Sequence, residues 1–229
     1  MSEVSAGTLA EMLDERQHLL EIALWMFGSE MTADQIVQET YRRWYALDDE
    51  ERAAIAVPRA WLTRVAGGIC LELLATGSAR RPEPAAGPAR RPEPATGRVP
   101  QQARSDRAML ARHDRVARRF AAACDVGDAA ALQAVLAADA MVVSDGGGKL
   151  RAAVRPTYGA AAVARFVTAL LTGQPGTEVA VEPVNGRTGL VLRRAGRAVA
   201  VAGVSVAGAE VTAVWIVLNP DKLQRWHRP

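Results

Sequence analysis

Apolar residues Leu9, Met12, Leu13, Leu20, Ala23, Leu24 and Phe27 recur at helical spacing, and Gly28 closes the run. Thr32 through Gln35 has capping-box spacing: the threonine hydroxyl accepts a backbone N–H and the glutamine reaches back. The helix this box opens carries Ile36, Val37, Tyr41, Trp44 and Tyr45 on its apolar side, with Gln35, Gln38, Glu39, Arg42 and Arg43 as its polar remainder. Asp48 or Asp49 starts a short helix. Pro58 suits the first turn of another, which runs through Trp61, Leu62, Val65, Ile69, Leu73 and Leu74. Residues 1–76 therefore read as an all-α unit whose aromatics are first of all core.

The periodicity then stops. Residues 77–108 are rich in Arg, Pro, Ala and Gly and contain a tandem repeat, ARRPEPAAGP followed by ARRPEPATGR. Without an apolar stripe this stretch cannot bury a core, and its prolines favour an extended, semi-rigid tether. Helical spacing resumes through Met109, Leu110, Val116 and Phe120, breaks at Gly127 and continues through Leu132, Val135 and Leu136 to about residue 138. A short strand at Met141 to Val143, a glycine turn at Asp145 to Lys149 and a strand at 150–155 follow. An amphipathic helix comes next, then strands at 177–184, 187–194, 197–206 and 209–218, with Asn185-Gly186 as a hairpin signal. The fold class is thus multidomain: an all-α unit, a linker, and an α+β domain over 109–229 with a curved sheet wrapped on helices around a cone-shaped pocket.

Charge divides the chain along the same lines. Residues 1–74 have 6 basic and 13 acidic side chains, residues 75–119 have 11 and 4, and residues 120–229 have 11 and 8. The basic connector has three readings: contact with nucleic acid, contact with the acidic block beside it, or a solvated linker extended by self-repulsion. The longest late apolar run, Ala213 to Leu218, is too short to span a membrane, and Glu3 and Glu11 do not fit a basic-then-apolar leader. These features point to a cytoplasmic protein without membrane partners. Cys70 and Cys124 stand in apolar helical settings and read as buried free thiols rather than a disulfide or metal pair.

The stretch WMFGSEMTADQIVQETYRRWY, followed by VPRAWLTRV, resembles region 2 of the extracytoplasmic-function RNA polymerase sigma factors. The matching positions are Gly28, Ser29, Ala33, Ile36, Val37, Gln38, Glu39, Thr40, Tyr41, Arg43 and Trp44, then Pro58 to Thr63 and Val65. The resemblance implies that the first helix docks on core RNA polymerase through Gln35, Gln38, Glu39 and Arg43. It implies that Arg59, Trp61 and Arg64 lie nearest the promoter minus-ten DNA. This chain departs from the pattern at Ala66, Gly67 and Gly68, where relatives carry polar or basic residues, and at Leu74. Two mid-helix glycines cost about 1 kcal/mol each against alanine, and an acidic block is poorly matched to phosphates. Polymerase docking is therefore better supported than DNA reading. The helix-turn-helix of region 4 has no counterpart in the sequence, and the repeat occupies its place.

The C-terminal order of elements resembles the SnoaL-like domain of the nuclear-transport-factor-2-like superfamily. VVSDGGGK and LNPDKLQRW resemble motifs of the C-terminal extension in one sigma-factor subgroup. There the extension is regulatory, which implies contact with region 2 through Asp145, Gly146, Gly147, Gly148 and Lys149 and through Asn219, Pro220, Asp221, Lys222 and Leu223, together with a small-molecule ligand in the pocket. DGGGK lacks the spacing and following helix of a phosphate loop and reads as a hairpin turn. In it Asp145 and Lys149 pair with each other or with the NPDKL segment. Asn219 to Lys222 read as a pocket-rim site, an interdomain latch or a plain strand-end turn. His113 and His227 flank the block and the strand meander holds no histidine, so no catalytic pair, metal site or cofactor is assigned. The leading expectation is a sigma-factor-like regulator of transcription initiation lacking region 4. The alternatives are a SnoaL-like cyclase or isomerase with a vestigial sigma domain, and a non-initiating competitor for polymerase or for another sigma factor.

Overall fold

The computed structural model describes residues 2–75, 100–146, 157–172 and 176–226. Helix α1 (Ser2–Phe27) ends where Gly28 takes a φ of 67°. Ser29 is then the N-cap of α2 (Glu30–Ala46), its side chain accepting from the Thr32 N–H. The cap thus stands three residues before the expected box at Thr32. With Gly28 turning the chain, Ser29 is the first extended residue, and Thr32 already lies within the helix. Asp48 and Glu51 form a reciprocal capping box for α3 (Asp49–Ala54), and Pro58 opens α4 (Pro58–Ala75).

Helix α5 (Pro100–Val126) begins nine residues before the expected 109 and is followed by α6 (Ala129–Gln133). Strand β1 (Leu136–Asp145) takes in the expected three-residue strand and the end of the expected helix, with a register shift between Leu136 and Met141. A two-residue strand, β2 (Thr157–Tyr158), and helix α7 (Ala160–Thr172) follow. Strands β3 (Thr177–Val184), β4 (Arg187–Arg194), β5 (Arg197–Ala207) and β6 (Glu210–Val217) form the antiparallel meander the alternation predicts. Asn185 and Gly186, at φ 52° and 75°, make the hairpin turn between β3 and β4. The chain closes with α8 (Pro220–Leu223) and a 3₁₀ turn. The expected strand at 150–155, the tandem repeat and His227 lie outside the described residues.

The sheet order is β2-β1-β6-β5-β4-β3, with β1 parallel to β6. Both faces of its inner strands, β1, β6, β5 and β4, are largely buried. Val142, Leu190, Val204, Val214 and Ile216 point to one side, against Phe120 of α5, Leu132 of α6 and Val163 of α7. Met141, Val143, Ala213 and Trp215 point to the other, into a single core with Leu19 and Met26 of α1 and Leu62 and Ala66 of α4. Val191, Val201 and Val217 continue that second face beneath Trp25 and Leu223. The all-α unit and the α+β domain thus share a core, with the sheet as a middle layer between two layers of helices. A sheet covered on both faces needs near-continuous apolar strands, and the run from Ala213 to Leu218 is that signature.

Candidate functional site

Helix α2 buries Ala33, Ile36, Val37, Thr40 and Trp44. That fixes the opposite face, on which Met31, Gln35, Gln38, Arg42 and Tyr45 are exposed. Their 4-3-4-3 spacing is the spacing of a seam between helices. Glu39 stands beside this stripe, gripped by Arg42 at 2.6 Å and Arg43 at 2.8 Å. Hydrogen bonds from Arg42 and then Arg43 hold its carboxyl down at about 2, so it is ionised at any physiological pH. The face therefore offers two uncharged amides and a fixed ionic cluster, with a methionine at one end and a tyrosine at the other.

The residues singled out on α4 are placed differently. Arg59 is largely buried, its guanidinium 3.1 Å from Asp14 and 2.7 Å from Glu15 of α1. Glu15 is fully buried and accepts a 2.6 Å hydrogen bond from the Thr63 hydroxyl. Burial pushes the Glu15 carboxyl up, against the pull of Arg59 and Thr63. Arg187 of β4 donates to the other oxygen of Asp14 at 2.8 Å, so the sheet joins the same network. Trp61 is half-buried and packs edge-on against Trp44 at 5.2 Å. Arg64 is exposed and pairs with Asp139 of β1 at 3.1 Å. Gly67 faces the sheet: a Cβ there would stand 2.3 Å from the Met141 methyl carbon. This glycine permits the close approach of α4 to β1, a role that comparison with a sigma-factor motif alone does not suggest.

A second polar junction lies on β5 and β6. Trp215 Nε1 donates to Ser205 Oγ at 2.9 Å, and Ser205 Oγ lies 3.1 Å from His18 Nε2. An indole can only donate, which leaves the serine proton for a neutral His18. Burial holds His18 well below the usual histidine range, reinforced by the cations Arg187 and Arg59. His113 of α5 packs edge-on against His18, and its Nε2 donates to the Val204 carbonyl at 3.0 Å. Burial lowers its pKa as well.

Of the DGGGK and NPDKL motifs, the structure brings Asp145 and Lys222 together at 2.8 Å. Lys222 also donates to the Met26 carbonyl near the end of α1, so one ammonium ties β1, α8 and the helical unit. Asn219 caps α8, its side chain accepting from the Asp221 N–H at 3.1 Å; Pro220 is the first residue of that helix, and Leu223 is buried against the sheet. Gly146 is buried beside Asp145, and Gly147, Gly148 and Lys149 lie outside the described residues. The sequence offered no distance signal for Asp14, Glu15, His18 or Arg187, each of which looks like an ordinary surface residue in its own helix or turn.

The space between the sheet and α5 and α7 is lined by apolar side chains, among them Phe120, Val167, Leu190 and Val214. Among the described residues it presents no acid–histidine pair, and none of them form a cluster fit to hold a metal ion. Cys70 and Cys124 are buried free thiols, pushed up to about 12 by burial. No described helix is long and apolar enough to cross a membrane.

The stretches that resemble sigma-factor region 2 lie on α2 and α4, with an α+β domain behind them, and comparison with known proteins finds similarity to an extracytoplasmic-function sigma factor. The chain is homologous to the ECF RNA polymerase sigma factor SigJ of Mycobacterium tuberculosis, 28% identical over 292 residues that cover 90% of each. That match is 63 residues longer than the 229 of this chain, so the relative carries sequence with no counterpart here. The crystal structure of the same M. tuberculosis SigJ is 25% identical, covers 94% of this chain and 98% of its own, and has a TM-score of 0.40. Two further similar structures cover about half of this chain. A ketosteroid isomerase from Kribbella flavida is 15% identical over 47% of this chain and 78% of its own, at a TM-score of 0.36. A SnoaL-like family isomerase from Agrobacterium tumefaciens is 14% identical over 48% and 99%, at 0.37. No family model matches the chain.

Proposed function

We propose that this protein is a sigma-factor-like regulator of transcription initiation that binds core RNA polymerase through the exposed face of α2. Gln35, Gln38, Glu39 and Arg43 are the contacts, in the cytoplasm where the polymerase works. The observation that carries the reading is the exposed stripe from Met31 to Tyr45, with helix-seam spacing and no cover from the described residues. Amides in such a seam gain affinity by hydrogen bonding to a partner helix while costing little to expose in the free protein. The test is gel filtration of the full chain with purified core polymerase. Co-elution that weakens at least tenfold in Q35A/Q38A supports the reading; no co-elution of the wild type sinks it.

A specific observation also favours the competitor reading. Arg59, which region 2 resemblance places at the minus-ten element, is engaged by Asp14 and Glu15, and the sheet lies against the same helix. On this reading the C-terminal domain masks α4, and the protein occupies polymerase without opening a promoter. On this reading the tandem repeat stands in the place of region 4, and minus-thirty-five recognition is not expected. Run-off transcription separates the two: inhibition of another sigma factor without a new transcript favours the competitor. The small-molecule ligand remains a proposal for the apolar space under the sheet, and its guest would have to be apolar.

A further inference from the structure

We propose that the outward face of α5 is a binding site for the phosphate backbone of duplex DNA, formed by Arg107, Arg112, Arg115 and Arg119. All four are exposed. Arg112, Arg115 and Arg119 follow i, i+3, i+7 spacing along one stripe, and Arg107 stands about 80° round the helix from Arg115, at the other edge of the exposed side. At 1.5 Å per residue they extend over about 18 Å, roughly five phosphates of one strand at 3.4 Å per step.

Among the described residues they have no ion-pair partner, and unlike the scattered Arg16, Arg165 and Arg197 they stand together on one helix. Arg42, Arg43, Arg52, Arg59, Arg64, Arg187 and Arg193 each form an ion pair within the chain. Arg118, on the Arg107 row, is paired with Asp114. Among the described residues no carboxylate lies within ion-pair distance of Arg107, Arg112, Arg115 or Arg119. Four exposed guanidiniums along one helix, without a carboxylate partner among the described residues, repel one another, and a polyanion relieves that cost while releasing its counterions.

A membrane surface is the other polyanion of this kind. A basic helix that binds lipid needs an apolar face to embed, and in α5 that face is already used: Val116, Ala117, Phe120 and Cys124 are buried under the sheet. Duplex DNA asks only for the cationic face. The site is independent of the α2 contacts, so it stands or falls separately from polymerase binding.

The test uses the full chain alone, with a fluorescently labelled random-sequence duplex and anisotropy read between 50 and 200 mM salt. Four phosphate contacts predict a log–log slope of about −3.6, a loss of affinity of about 150-fold over that range. R107Q/R112Q/R115Q/R119Q should flatten the slope to near zero, and R112Q/R119Q should remove about half of it. R197Q, on the distant β4–β5 turn, should leave it unchanged. Circular dichroism should be unaltered, because the buried face of α5 is intact. Absence of binding at 50 mM salt, or an unchanged slope in both arginine variants, overturns the proposal. So does tighter capture by phosphatidylserine vesicles than by DNA through the same four residues.

Discussion

Helices α2 and α4 carry the two halves of one sequence motif, yet they meet opposite fates. On α2 the polar motif residues Gln35 and Gln38 face solvent, and the ionic cluster around Glu39 closes on itself. On α4, Arg59 and Thr63 turn inward to two carboxylates of α1, and Gly67 lies under a strand. The same class of residue is thus exposed on one helix and a structural group on the next. What decides is the layer that covers each helix: solvent over α2, the β1–β6 side of the sheet over α4.

Breaking an inward group should therefore cost stability, and breaking an outward one should not. Arg59→Ala leaves Glu15 buried without its cation, and losing one partner of a buried pair costs about 3–5 kcal/mol. Chemical denaturation should show that loss. Gln38→Ala should stay within about 0.5 kcal/mol, as surface changes do. Equal and small effects would place Arg59 at the surface and dissolve the distinction.

The junction with the sheet should also be acid-sensitive. His18 and His113 are held neutral in the fold, while in the unfolded chain each titrates near 6.5. Their contribution is complete above pH 6.5 and is lost as pH falls toward the depressed folded values, at up to about 1.4 kcal/mol per pH unit for each histidine. Protonated His18 would face Arg187, Arg59 and His113, with Asp14 and Glu15 as the nearby carboxylates. Glu15 works in the opposite sense: its raised carboxyl favours the fold below its ordinary value and loses that contribution as pH rises through the folded one. Comparing thermal unfolding of wild type and His18→Gln at pH 7.5 and 5.5 isolates the histidine. The wild type should lose more on acidification, and parallel losses would remove His18 from the account.

Much of this was legible in the chain. The bounds of β3 and β4 follow from alternation and one Asn-Gly turn, because a two-residue loop fixes register. The layer order was not, because periodicity tells that a strand face is apolar and not which helix covers it. The run from Ala213 to Leu218 served only to exclude a membrane span, and nothing local named α1 and α4 as the second cover. The Asp145–Lys222 pair joined two motifs already singled out. Asp14, Glu15 and His18 met Arg59, Arg187 and Ser205 only through tertiary packing, across sequence gaps that spacing cannot bridge.

The finest test of the covered helix lies in its two adjacent glycines. Read as a departure from a DNA-facing motif, Gly67 and Gly68 are equivalent: each weakens the helix by about 1 kcal/mol relative to alanine. Packing separates them. At Gly68 no atom lies within 4 Å of a new Cβ, so Gly68→Ala should recover the helical preference and stabilise by about 1 kcal/mol. At Gly67 the Cβ would meet the methyl carbon and sulfur of Met141 at 2.3 and 2.5 Å. Met141 is fully buried, so its flexible end has to shift within a packed core. Overpacking of that kind costs about 1–3 kcal/mol, which offsets or exceeds the propensity gain. Gly67→Ala should then be neutral to destabilising while Gly68→Ala stabilises. Trimming the neighbour with Met141→Ala in the Gly67→Ala background should give a smaller loss than Met141→Ala alone, because the added methyl fills part of the cavity. If the two glycines respond alike, and the double variant is simply additive, α4 does not lie against β1 and the sheet does not cover it.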